Sequence, residues 1–190
     1  IENMDNIVEI TDSISNIFRY NLKGDSIVTL REEIDHVKDY VQIQKYRFPD
    51  QFEMIYEIPE EIYSFKVMKF ILQPLVENSI SHGLFGTAEK GRVTISASLE
   101  GEEDMLLTVT DNGVGINKKK LEDMNQKLFE YRVNMNAGQD FGGDGIGIMN
   151  VNARVSGYYG KIYGITLYSE YGRWTRAVLR IKALRDTKPG

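Results

Sequence analysis

Residues 108–116 read TVTDNGVGI, an alternation of polar and apolar side chains that runs into an acidic residue and two glycines. The alternation is that of a strand with one buried face. Glycines at this spacing admit a backbone path with positive φ and let another molecule approach the chain closely. An aspartate at a strand end is placed to accept a hydrogen bond from whatever approaches. Asp-Asn-Gly is also ordinary hairpin chemistry, so by itself the stretch leaves a turn and a binding loop both open.

The surrounding chain supplies the context. RVTISASL (92–99) and MLLTVT (105–110) predict a hairpin around Glu100–Asp104, and KIYGITLYSE (161–170) and WTRAVLRIKAL (174–184) a second one around Tyr171–Arg173. Between them, KKKLEDMNQKLFEY (118–131) predicts a helix, VNMNAGQDFGGD (133–144) an aperiodic loop, and the segment from Gly145 a helix through about Val155. Upstream, FEMIYEI (52–58) reads as a strand and residues 66–84 as a helix that kinks or starts late at Pro74. Residues 1–22 read as an amphipathic helix with Ile7/Ile14 and Ile10/Ile17 a heptad apart. A second helix starts near Leu30, with Thr29 as N-cap and Glu32 at the capping-box position, and ends before Pro49. The pair reads as a helical hairpin or a dimerising stalk, the stalk being favoured for the first helix. The expected fold is α+β: a two-layer sandwich, its mixed, mostly antiparallel sheet carrying helices on one face, preceded by an N-terminal helical segment.

Composition narrows the function. The 190 residues are 42% hydrophobic and 27% charged, as a packed globular chain requires, and they include no cysteine, which removes disulfides and thiolate metal sites. A net charge of −5 argues against general nucleic-acid binding. An anionic ligand would need backbone N–H groups, a metal ion or local cations. No apolar run approaches the length of a membrane span.

Two further stretches have chemistry in them. LVENSISHGL (75–84) places Asn78 and His82 four residues apart, one helical face. GGDGIGIMN (142–150) is glycine-rich and opens a helix, an arrangement that binds anions through backbone N–H groups. In this order, with DNGVG between them, the three stretches resemble the asparagine box and the two glycine boxes of the GHKL superfamily, the Bergerat-fold ATP-binding domain of gyrase, heat-shock chaperone, histidine kinase and MutL proteins. LREEIDHVKDYVQIQKYRF, ILQPLVENSISHGL and GIGIMNVNARV are together similar to sensor histidine kinases of the LytS/YesM type. The similarity covers most of the chain.

The resemblance implies ATP and Mg²⁺ as cofactors. It implies that Asp111 accepts from the adenine amine, that Gly113 and Gly115, with Ile116 beside them, let adenine and ribose lie against the backbone, and that Asn78 is a Mg²⁺ ligand. His82 would lie near phosphate or ribose. Gly143, Gly145 and Gly147, with Ile146, would close on the triphosphate, residues 133–144 forming a lid, and Thr175 would contact nucleotide. Glu77 would orient or deprotonate the phosphoryl acceptor. GRWT (172–175) departs from the family's glycine-rich Gly-x-Gly-Thr, and Trp174 puts the Thr175 contact in doubt. Lys118, Lys119 and Lys120 read as a solvated face, and Arg154 is open between phosphate and a carboxylate. His36, in EEIDHVKDY, lacks the surroundings of an acceptor histidine, so the acceptor is expected upstream of Ile1. Residues 1–28 would then be the end of a dimerisation and phosphoacceptor region, and 29–186 the catalytic ATP-binding domain. The expected partners are that upstream helix, a response regulator and a second copy of the chain, in the cytoplasmic part of a membrane-anchored sensor. Another GHKL ATPase, an anti-sigma-type serine kinase or a degenerate ATP-binding relay would share the boxes; the two enzymes would not share the LREEIDHVKDYVQIQKYRF segment.

Overall fold

The computed structural model describes residues 2–84, 90–134 and 146–185, with the side chains of 2–6, 82, 83 and 134 outside the description. In chain order, the first elements are α1 (Glu2–Leu22), β1 (Ile27–Thr29), α2 (Leu30–Arg47), β2 (Phe52–Glu57), β3 (Lys66–Met68) and α3 (Gln73–Asn78). They are followed by β4 (Gly91–Glu100), β5 (Asp104–Asp111), α4 (Lys118–Asn134), α5 (Ile146–Tyr159), β6 (Gly164–Glu170) and β7 (Trp174–Lys182).

The strand that runs into Asp111 is the centre of a five-stranded sheet of order β2-β4-β5-β7-β6. Only β2 and β4 run parallel; every other pair is antiparallel. Period-2 alternation sorts the faces. Val93, Ile95, Met105, Leu107, Val109, Ile165, Leu167, Leu179 and Ile181 are buried, whereas Thr94, Ser96, Thr108 and Thr110 point to the other, partly open face. Helices cover one face only, so the expected two-layer α+β sandwich is what forms. The outer edge of β6 is closed by side chains. Asn125 of α4 both donates to and accepts from the Leu167 backbone (2.8 and 2.9 Å), and buried Asn152 of α5 accepts from the Ile165 N–H at 2.9 Å. An edge satisfied in this way offers no template for another strand.

The N-terminal region packs as a hairpin. Ile10, Ser13, Ile17 and Tyr20 face α2, and Gln42–Glu9 and Asn16–Asp39 hydrogen bonds link the two helices. Ile7, Ile14 and Phe18 remain exposed on a different face of α1. The single apolar stripe expected from the heptads is therefore two stripes. α2 starts with the anticipated capping box: the Glu32 N–H donates to Thr29 Oγ1 at 3.2 Å, and the Glu32 carboxylate accepts from the Thr29 N–H at 2.9 Å.

The helix expected over 66–84 is corrected in its first third. Lys66–Met68 is a strand paired antiparallel to β1, with Val28 opposite Val67. The chain then turns through Phe70 at φ 59, and α3 begins only at Gln73. Pro74, with no N–H to leave unpaired, suits that first turn. The following residues, Ser79–Gly83, wind as a π-helix, closed by the Leu84 N–H on the Ser79 carbonyl at 3.1 Å. The helix that begins at Ile146 continues one turn past Val155, to Tyr159.

Candidate functional site

Strand alternation delivers the aspartate. Met105, Leu107 and Val109 point inward, so Asp111 also points inward, at the end of β5 where the apolar face stops. Thr175 lies directly across from it in β7 and points to the same face. Asp111 is only 2% exposed. Its carboxylate accepts from the Gly113 N–H at 3.0 Å, closing an Asx turn, and from the Ser79 hydroxyl and the Thr175 N–H. Burial pushes its pKa up, and these three donors pull only part of the way back. The site therefore has a carboxylate at the edge of the core, held rigidly and short of water.

Ser79 follows Asn78 directly, so its bond to Asp111 ties the asparagine box to the first glycine box. Sequence reading passed over Ser79; its only signal was its position beside Asn78. Asn78 is half-buried and Glu77 exposed at the end of α3. Tyr40 of α2 has its pKa raised to about 12, by burial first and by the negative charge of Glu77 second, which puts Glu77 beside α2.

The glycine loop rests on the β6–β7 turn. Gly115 sits at φ 64, and a Cβ there would overlap the Glu170 carbonyl oxygen. The Gly172 N–H donates to the Val114 carbonyl at 2.7 Å. The Ile116 N–H donates to Ser169 Oγ at 2.8 Å, and that hydroxyl donates to the Trp174 carbonyl at 2.6 Å and lies 3.3 Å from Thr175 Oγ1. Ser169 is thus a second residue missed in the sequence. Trp174 points to the face opposite Thr175, with its indole N–H on Glu170 at 3.3 Å and the Arg176 guanidinium over its ring. It does not fill the space in front of Thr175.

Gly147 brings the other glycine-rich segment in. A Cβ there would touch Pro74 at 3.4 Å, so α5 starts against α3. Ile146 is exposed at the same helix start. Gly143, Gly145, the His82 side chain and residues 135–144 of the expected lid lie outside the described residues. The lysines at 118–120 are exposed, as expected, with Lys118 3.9 Å from Glu122. Arg154, which the sequence leaves open between phosphate and a carboxylate, donates to the carbonyls of Lys69 (2.6 Å) and Phe70 (3.2 Å). His36 is buried, stacked on Tyr20 at 4.2 Å with Nε2 2.6 Å from Gln73 Oε1, a setting with no access for a phosphoryl donor.

For a metal, the donors near α3 are the Asn78 amide oxygen and the Glu77 carboxylate. Hard oxygen donors in small number fit Mg²⁺, which keeps much of its water and shares phosphate oxygens. Among the described residues there is no cluster of three or more His, Asp or Glu that would hold an ion by itself.

A sheet that ends in a buried carboxylate, with the asparagine helix bonded to it through Ser79 and the start of α5 packed on that helix, defines a nucleotide-site architecture of the Bergerat class. Comparison with known proteins agrees. The family described as histidine kinase-, DNA gyrase B- and HSP90-like ATPase matches residues 66–185, and the histidine kinase family matches residues 1–52. The chain belongs to the histidine kinase-, DNA gyrase B- and HSP90-like ATPase family. It is 35% identical over 91% of its length to the sensor histidine kinase BtsS of Escherichia coli K12, covering 27% of that protein. It is 31% identical over 92% of its length to the sensor histidine kinase YesM of Bacillus subtilis 168, covering 27%. Against the sensor protein LytS of Oceanobacillus iheyensis the figures are 32%, 78% and 24%. The chain thus spans about a quarter of the length of these relatives.

Proposed function

We propose that this chain is the ATP-binding catalytic region of a two-component sensor histidine kinase, which transfers the γ-phosphoryl group of Mg·ATP to a histidine outside the chain. The observation that carries the reading is Asp111: a buried carboxylate in register with Thr175 and bonded by the residue next to Asn78. An adenine whose exocyclic amine meets that carboxylate would lie over Gly113, with Ile116 and Thr175 alongside. The triphosphate would then extend towards Asn78 and the helix start at Ile146 and Gly147, where Gly143, Gly145 and His82 complete the family's set. Backbone N–H groups at that helix start suit phosphate oxygens without needing cationic side chains. Mg²⁺, held by Asn78 and phosphate oxygens, would neutralise charge on the transferred group. Glu77, exposed beside Asn78, is placed to orient the incoming imidazole and take its proton.

The same reading divides the chain at about residue 28. Residues 1–28 would close the dimerisation and phosphoacceptor region and 29–186 form the catalytic domain. Partners would be the acceptor helix, a response regulator and a second copy of the chain, in the cytoplasmic part of a membrane-anchored sensor. Among the described residues no helix is long and apolar enough to cross a membrane.

Calorimetric titration tests the core of this. ATP should bind far more tightly than GTP, whose carbonyl would face the Asp111 carboxylate. Asp111→Asn should cost about 1–3 kcal/mol of ATP affinity, the cost of leaving buried donors facing each other. Equal affinity for ATP and GTP would sink the adenine assignment. Asn78→Ala should flatten the Mg²⁺ dependence of binding, and a variant that kept it would move the metal elsewhere.

A further inference from the structure

The peptide from Lys69 to Leu72 lies between the helical hairpin and the two helices of the candidate site. Each neighbour holds it through polar contacts. Glu33 of α2 is wholly buried, and its carboxylate accepts from the backbone N–H groups of Phe70 (2.9 Å), Ile71 (2.8 Å) and Leu72 (2.9 Å). Its remaining contact is the Tyr20 hydroxyl of α1, at 2.5 Å. From α5, Arg154 grips the Lys69 and Phe70 carbonyls. Lys69 is itself buried and sends its ammonium to the Tyr20 and Lys23 carbonyls at the C-terminal end of α1, where a cation is favoured. Phe70 is held at φ 59, a conformation that non-glycine residues rarely adopt, with its ring edge-on to Tyr20 and His36.

A buried carboxylate is costly unless its lone pairs are filled. Here they are filled by the consecutive N–H groups of Phe70, Ile71 and Leu72, the residues that lead into α3 and end at its N-cap. The bonds therefore fix where α3 begins and which way it points. Five and six residues after Leu72 the same helix presents Glu77 and Asn78, with no loop between to absorb an error.

We propose that Glu33 is a positioning residue for the nucleotide site. Together with Arg154 it fixes the Lys69–Leu72 peptide, hence the placement of Glu77 and Asn78, and it links that placement to the end of α1 through Tyr20 and Lys69. The proposal rests on the reading of Asn78 as a Mg·ATP contact. The adenine end is held mainly by the sheet, where Asp111 lies opposite Thr175 and accepts from the Gly113 N–H, with Ser79 as its link to the α3 side.

The test uses the full 190-residue chain. Glu33→Gln keeps the shape but turns an NH₂ group towards backbone donors. Arg154→Met removes the second grip from a surface position, where folding is not at stake. Both variants should weaken Mg·ATP binding at least about tenfold while changing Mg²⁺-free ADP binding less than about twofold. Amide exchange should accelerate over residues 70–78 and stay unchanged in β5 and β7. Equal losses with and without Mg²⁺, unchanged Mg·ATP affinity, or unchanged exchange at 70–78 in the Arg154 variant would each overturn the proposal. If the parent chain binds no ATP, the site reading fails instead, and the exchange data alone decide whether Glu33 and Arg154 hold α3.

Discussion

Asp111 and Gly115 are four residues apart, and the structure sets them different tasks. Asp111 faces the site. Because its pKa is raised in the folded chain, the stability it contributes is fully present below the ordinary aspartate range and is lost as pH rises through the raised value. The melting temperature of the ligand-free Asp111→Asn variant, measured against the parent, should therefore shift in the variant's favour as pH rises above the ordinary aspartate value of about 4. A pH-independent difference would show that the carboxylate is not destabilised by burial. Gly115 faces the β6–β7 turn. Gly115→Ala meets both the positive φ and the Glu170 carbonyl, and urea unfolding should show a loss of about 2–4 kcal/mol. A loss under about 0.5 kcal/mol, the range of an unconstrained surface site, would mean that the loop can move off the turn. From residue types alone, Gly115 was readable as a loop glycine. That its missing side chain makes room for a neighbouring backbone follows only from the packing.

At the scale of elements, local chemistry was legible where it is self-contained. The capping box of α2 needs only Thr29 and Glu32, three residues apart in one turn, and it forms as the sequence indicates. Glu32 titrates accordingly: the Thr29 N–H, then Lys23, hold its pKa down to about 2. This stability is present above the ordinary glutamate pKa and is lost as pH falls from there towards about 2. Thr29→Ala should cost about 1 kcal/mol at neutral pH, and acid unfolding monitored by circular dichroism should show that gap narrowing over the same window. A constant gap would place the stabilisation elsewhere. The segment 66–84 was misread for the opposite reason. Val67, Ile71, Leu75 and Val76 fall at helical spacing, yet Lys66–Met68 pairs with a three-residue strand nearly forty positions earlier, and Glu33 turns the chain before α3 can start. Contacts that distant leave no periodicity to read.

At the scale of the whole molecule, α1 keeps one apolar face exposed. Its inner stripe is used by α2, while Ile7, Thr11, Ile14 and Phe18 recur at 4-3-4 spacing on an exposed face, Phe18 being 63% exposed. That is the spacing of a coiled-coil seam. If a second copy covers it, sedimentation velocity should show a concentration-dependent dimer that Ile14→Lys with Phe18→Lys abolishes while leaving ATP affinity unchanged. A dimer that survives both substitutions would use another face.

The order of boxes, the strand alternation and the cap signals were enough, without coordinates, to determine the α+β class, most element positions and the family of this chain. Those features are short-range: a period, a cap or a glycine cluster is written in a dozen consecutive residues. Only the tertiary structure decided that Ser79 and Thr175 meet Asp111, that the apolar residues of α1 divide between two faces, and that Arg154 and Glu33 grip one peptide from opposite sides. Each of those outcomes depends on strand register or on side chains from elements far apart in sequence, and such pairings are selected by packing and by the need to satisfy buried polar groups, which no local pattern encodes.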